Sequence, residues 1–203
     1  MSKIYLWDQR FEEAAAAAAR GVAEGPAGSA AVMLARQEAD AWAEIGAHQQ
    51  ARAALTKATQ ARQTADTDSV GGLFACGVIR EHNYTGAVLL RVGQPADAIG
   101  HAEVALNEAR RDQSAAYGTM AQLRIWAAAA HLSASSVDGA AEVLRPVLAL
   151  PAEQRLDTLV RRLRDVGRLI VGDAAIRTSA PARELHAAIT EFCASGSTRQ
   201  LPA

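Results

Sequence analysis

Apolar and polar positions along this chain recur at three- and four-residue steps, the spacing of amphipathic helices, and never alternate in strand fashion. Leu34, Glu38, Ala41, Trp42 and Ile45 form one such mostly apolar stripe, Val88, Leu89 and Val92 a second, and Leu123, Ala127 and Ala130 a third. A recurring phrase punctuates them. Ile45-Gly46 is followed by Ala51, Leu55 and Ala58, and Val92-Gly93 is followed at the same offsets by Ala98, Ala102 and Ala105. A third copy has Ser135 in place of glycine, then Ala140, Leu144 and Val147, and a fainter one begins at Gln9 with Ala14, Ala18 and Gly21. Repetition of this kind predicts an all-α stack of antiparallel helical hairpins, with a small residue where each pair of helices crosses. The alanines Ala14, Ala51, Ala98 and Ala140 are separated by 37, 47 and 42 residues, so the stack is irregular.

Breaker residues set the expected bounds. Gly25-Pro26-Ala27-Gly28-Ser29 interrupts the first helical stretch, with Ser29 as N-cap of a helix to Ile45 that Gly46 closes in the left-handed conformation. Helices follow over His48–Ala65, Leu73–Val92, Pro95–Arg111, Ser114–Leu132, Val137–Ala149, Ala152–Val171 and Ala180–Cys193, with Asp66–Gly72 as a loop. Pro95 suits a first turn, Pro146 is expected to kink its helix or end it early, and Pro151 to stop it. Residues 1–193 read as a single repeat domain and 194–203 as a frayed, flexible tail.

Composition adds exclusions. Half of the 203 residues are hydrophobic, yet only 4% are aromatic, which implies an Ala/Leu core of closely approaching helices. The net charge of −1 argues against a general polyanion binder, so direct nucleic-acid binding is not expected. Cys76 and Cys193 are far apart and fit neither a metal nor a redox spacing, which suits a reducing compartment. No apolar run has the length of a signal peptide or a membrane span, and a cytoplasmic location is expected.

The phrases resemble the second half of tetratricopeptide repeats, whose pattern keeps a small residue where Ala51, Ala98 and Ala140 stand and a larger one where Leu55 and Leu144 stand. Gly86 and Trp42 match the family's first helix, and the initial tryptophan is not kept. The stretches Gly71–Phe74, His82–Gly86, Leu90–Pro95 and Leu148–Arg155 resemble a narrower group, the repeat-containing C-terminal regions of Xre-type helix-turn-helix regulators from high-GC actinobacteria. The resemblance implies a right-handed α-solenoid of about four hairpins. It also implies a regulatory role. Those regulators carry a DNA-binding domain ahead of the repeats, whereas Met1 here falls where a repeat's first helix is expected, so DNA binding is not carried over.

Candidate functional residues follow from the first helices, which line the concave face of such stacks. Arg36, Asp40, Arg80, Asn83, Tyr84 and Gln122 are the expected partner-binding positions, a polar row suited to a peptide backbone or terminal carboxylate. Against this stands the simpler reading of solvated polar positions on helix surfaces. His82 and Tyr84 could serve in proton transfer, but no second convergent His or carboxylate is evident, and His82 falls where the repeat places a packing aromatic, which favours a core or semi-buried histidine. His48, His82, His101, His131 and His186 show no local pairing, so neither a metal nor a cofactor is expected. Arg161, Arg164 and Arg168 share one helix face, which could meet an acidic partner or nucleic acid but, tempered by Asp157 and Asp165, is read as a solvated or inter-helix face. Trp126 and Tyr117 are read as core, whereas Ile4, Leu6, Trp7 and Phe11 form an apolar end suited to a second copy of the chain or to a further domain. The expected function is a non-catalytic regulatory scaffold holding a peptide or protein in its concave groove. The alternatives are the ligand-sensing half of a transcriptional regulator without its DNA-binding domain, and a small-molecule enzyme with a pocket around His82 and Tyr84.

Overall fold

The computed structural model describes residues 1–26, 28–65, 75–111 and 116–196, the side chains of 195 and 196 excepted. The protein is all-helical. Its helices are α1 (Ser2–Trp7), α2 (Phe11–Ala23), α3 (Ala30–Glu44), α4 (His48–Thr64), α5 (Val78–Arg91), α6 (Pro95–Arg111), α7 (Tyr117–Ser133), α8 (Val137–Leu148), α9 (Asp157–Gly172) and α10 (Ala180–Gly196). No strand occurs among the described residues. The chain divides into two compact units, Met1–Gln113 and Ser114–Ala203. The first contains α1–α6 and the second α7–α10.

The recurring phrase has one structural meaning in all of its copies. Gln9, Gly46, Gly93 and Ser135 each adopt a left-handed backbone, with φ of 58°, 71°, 80° and 58°. At each, the N–H of that residue donates to the carbonyl three back, and the following N–H donates to the carbonyl five residues before it. The bonds are Gln9 to Leu6 and Arg10 to Tyr5, Gly46 to Ala43 and Ala47 to Trp42, Gly93 to Leu90 and Gln94 to Leu89, and Ser135 to Leu132 and Ser136 to His131. This is the Schellman arrangement, which satisfies the last carbonyls of a helix and turns the chain back. The next helix starts two residues on, at Phe11, His48, Pro95 and Val137. Glycine relieves the strain of positive φ at two copies, and Gln9 and Ser135 bear it at the other two.

The small residues stand at fixed offsets from these turns and are fully buried. Ala14, Ala18, Ala51, Ala58, Ala98, Ala105 and Ala140 are all 0% exposed, as is the larger Leu144. A stripe of alanines lets the two helices of a hairpin approach closely. In the first unit α3 packs against α1, α2, α4 and α5, and in the second α7 packs against α8 and α9, and α10 against α8 and α9.

Several bounds differ from expectation, each for a local reason. Ser29 does precede α3, but its side chain makes no cap bond; its Oγ accepts the Cys76 N–H at 2.6 Å, anchoring the chain that leads into α5. Gly77 is extended, so α5 begins at Val78 and not Leu73. Leu73 itself, the loop Asp66–Gly72 and Ser114 lie outside the described residues. α8 runs through Pro146 for two further residues, because the lost N–H bond falls in the last turn. The segment expected as one helix from Ala152 is a 3₁₀ turn at Ala152–Gln154 followed by α9. There Arg155 stacks over the Phe192 ring at 4.5 Å and donates to the Leu150 carbonyl at 2.9 Å, tying the connection to α10. α10 continues to Gly196, so the first three residues of the expected tail 194–203 are helical, and residues 197–203 lie outside the described residues.

The stripe on α3 is not one-sided. Val32, Met33, Ala35, Arg36, Gln37, Glu38, Ala39, Ala41 and Ala43 are all buried, whereas Ile45 at its end is exposed. Tyr117, expected in the core, is also exposed, and Trp126 is buried as expected. At the amino-terminal end Ile4 and Trp7 face outward, whereas Tyr5, Leu6 and Trp42 pack on Ala14, Ala15 and Ala41.

Candidate functional site

A polar cluster is built by α3, α4 and α5 around Glu81. Glu81 Oε1 accepts from the Arg36 guanidinium at 2.8 Å, and Oε2 from Arg62 Nε at 2.7 Å. Arg36 also donates to the Thr85 hydroxyl, which itself donates back one helical turn to the Glu81 carbonyl. Arg62 reaches the Cys76 carbonyl with its second nitrogen. Arg36 is only 3% exposed, and burial pulls its guanidinium below the ordinary pKa while Glu81 opposes the shift. Burial likewise pushes the Cys76 thiol up to about 11, with the Glu81 charge adding to the effect. A thiol so placed is an inert packing group at neutral pH.

The other expected contacts are drawn into neighbouring interactions. Asp40 accepts from Arg91 at 3.1 Å, and the second Arg91 nitrogen meets Glu44 at 2.6 Å. Tyr84 Oη accepts from Lys3 Nζ at 3.0 Å, and the Lys3 ammonium lies 5.0 Å from the ring centre. Arg80 donates to the Ala75 carbonyl at 2.7 Å. Asn83 is half-buried on α5, and Gln122 is half-buried on α7 in the other unit. The structure thus gathers Arg36, Asp40, Arg80, Asn83 and Tyr84 in the first unit. For Arg36, Asp40 and Tyr84 it shows contacts that join one helix to another. Arg36 in particular is enclosed, not offered to a groove.

His82 and Tyr84 do not share a pocket. Residues two apart on a helix face different directions, and Tyr84 turns to Lys3 on α1 while His82 turns to α6. There His82 Nδ1 lies 2.8 Å from Nδ1 of His101, one ring donating to the other, with ring centres 4.7 Å apart. No histidines pair at local helical spacing, but these two, 19 residues apart, meet across the α5–α6 hairpin. The pair borders a surface cavity of about 460 Å³ whose other walls include Leu89, Asp97 and Val104. Among the described residues no group of three or more His, Cys, Asp or Glu side chains is arranged to hold a metal.

Burial is the main cause that lowers both histidines from the ordinary 6.5; for His101 the neighbouring His82 adds to it, while Glu81 and Asp97 work in the opposite direction. A group with a lowered pKa takes up its proton more readily unfolded than folded. The pair's contribution to stability is therefore complete above the unfolded value and is lost as pH falls through 6.5 toward the lower folded values. Between about pH 7.5 and about pH 5.5 the urea midpoint of the first unit is expected to fall. The double substitution His82→Gln, His101→Gln is expected to flatten that part of the profile. An identical slope with and without the histidines would assign it to other groups.

A second candidate site lies in the other unit, on the arginine face read from sequence as solvated or inter-helix. Two cavities of about 560 and 520 Å³ run between α9 and α10 and share Val171 and His186. Arg177 and Arg183 line the first, and Arg164 and Arg168 the second. Arg164 and Arg168 stand one helical turn apart, with the buried Gly167 between them facing Ile189 and His186 of α10. Compared with known proteins, the chain matches no family model, no curated protein and no solved structure. No described helix is long and apolar enough to cross a membrane.

Proposed function

We propose that this chain is a non-catalytic regulatory scaffold, a tetratricopeptide-like stack of helical hairpins that holds a peptide or protein partner. The observation that carries this reading is the fourfold unit of Schellman turn and buried alanine, with Gln9, Gly46, Gly93 and Ser135 all left-handed and the alanine five residues on fully enclosed. Units of this kind stack and present the faces of successive first helices to an extended ligand. The resemblance to the repeat regions of Xre-type regulators supports a regulatory role.

A guanidinium enclosed as Arg36 is serves the fold. Arg80 and Asn83, half-buried and one turn apart on α5, are the contact candidates to test. Pull-down from cell extract with the parent chain and with Arg80→Ala, Asn83→Ala tests the reading. The variant is expected to lose the recovered partner while its helical circular dichroism is unchanged. A partner recovered equally by both would remove these residues from the site.

A further inference from the structure

The cationic groove between α9 and α10 is unlike the polar surfaces of the first unit. Its floor is apolar: Ile170 and Ile189 are 2% exposed, and Val171, which both cavities share, is 54% exposed. Leu169 beside it is exposed as well. Its rim carries Arg164, Arg168, Arg177 and Arg183, with His186 at the middle, and no carboxylate lines either cavity. Asp165 meets Arg168 at 2.5 Å, but both side chains are largely exposed, so a ligand can displace the pair at little cost. Asp173 is turned to the Ala175 N–H, where it closes the turn after α9.

We infer that this groove is a docking site for an acidic amphipathic helix of a partner protein, with apolar anchors in the two cavities and carboxylates on the arginine rim. Charge complementarity selects the acid, and the apolar floor selects an amphipathic segment over a uniformly charged one. Nucleic acid fits less well, because no Phe, Tyr or Trp side chain lines the groove and its floor is aliphatic apart from His186. From Arg164 to Val171 the groove follows roughly 10 Å of α9, two turns at 1.5 Å per residue, which matches anchors spaced i, i+4 and i+7. The site stands apart from the α5 contacts proposed above and does not depend on them.

The test uses the full chain and a labelled helical peptide of about 15 residues, glutamate-rich with Leu at i, i+4 and i+7, read by fluorescence anisotropy beside a lysine-for-glutamate twin. The acidic peptide is expected to bind and its twin not, with affinity falling as salt is raised. Val171→Glu, an exposed position that leaves the core intact, is expected to weaken binding about tenfold or more, and Arg177→Glu with Arg183→Glu to do the same. Equal binding of both peptides, an unaffected Val171→Glu variant, no binding of the acidic peptide, or tighter binding of a single-stranded oligonucleotide would each overturn the inference. Equal recovery of a partner by the parent chain and the α5 variant, with this binding retained, would remove the α5 site proposed above and leave this one standing.

Discussion

Glu81→Ala is expected to cost the first unit about 3–5 kcal/mol, the largest loss available from a single polar side chain here, because it leaves a buried guanidinium without its counter-charge. The geometry sets the size. Arg36 is 3% exposed, and among the described residues its Nε has no hydrogen-bond partner, so Glu81 and Thr85 are what offset its desolvation. A domain is stable by roughly 5–15 kcal/mol in all, so the loss takes a large share. Arg62→Ala removes the other arm of the same network but should cost only about 1 kcal/mol, since that side chain is 37% exposed and water replaces part of the bond. Pairing Arg36→Met with Glu81→Leu should recover much of the single-variant loss, as apolar replacements for a buried ion pair often do. Urea denaturation with hydrogen exchange separates these outcomes. Protection should fall in α3 and α5 and stay unchanged in α9 and α10. Equal losses for Glu81→Ala and Arg62→Ala would mean that the burial of Arg36 is not the governing term.

That network also shows where sequence stops informing. The turns were legible because their cause is local: a left-handed residue, two backbone bonds, and an alanine five positions on. Even Gln9 and Ser135, which lack the glycine, were found by the phrase around them. Arg36 was not legible. Its polar neighbours on α3 have the pattern of a solvent-facing helix, and only the surrounding α1, α2, α4 and α5 make that face internal. A helix at the centre of a unit buries arginine and glutamate together when they find partners, and hydrophobic periodicity carries no record of that. The His82–His101 contact was hidden for a related reason. It depends on the register of α5 against α6, which the intervening turn fixes but which no i, i+3 or i+4 spacing reveals. The arginines of α9 were visible, yet their apolar companions Ile189 and Ala182 come from α10, so the groove exists only once the two helices are packed.

Ala98→Leu is expected to destabilise the first unit by about 1–3 kcal/mol, since its extra carbons have no space to enter. Ala98 is 0% exposed on the first turns of α6, five residues after the left-handed Gly93, where the helix has just been turned back against α5. A larger side chain there must either leave its rotamer or push the two helices apart, and α5 is also held to α3 by the Arg36–Glu81 pair, which resists that motion. The neighbouring Gly100 supplies an internal contrast. A Cβ added at Gly100 meets nothing within 4 Å, so Gly100→Ala should raise stability by about 0.5–1 kcal/mol through helix propensity alone. Substitutions of similar chemistry two residues apart thus have opposite signs if hairpin spacing is set by the alanine. The same loss is expected for Ala51→Leu in α4 and, in the second unit, for Ala140→Leu in α8, both fully buried at the matching offset. Thermal unfolding followed by circular dichroism reads all four. An unchanged midpoint for Ala98→Leu would mean that the turn alone, without the small residue, sets how closely the helices pack.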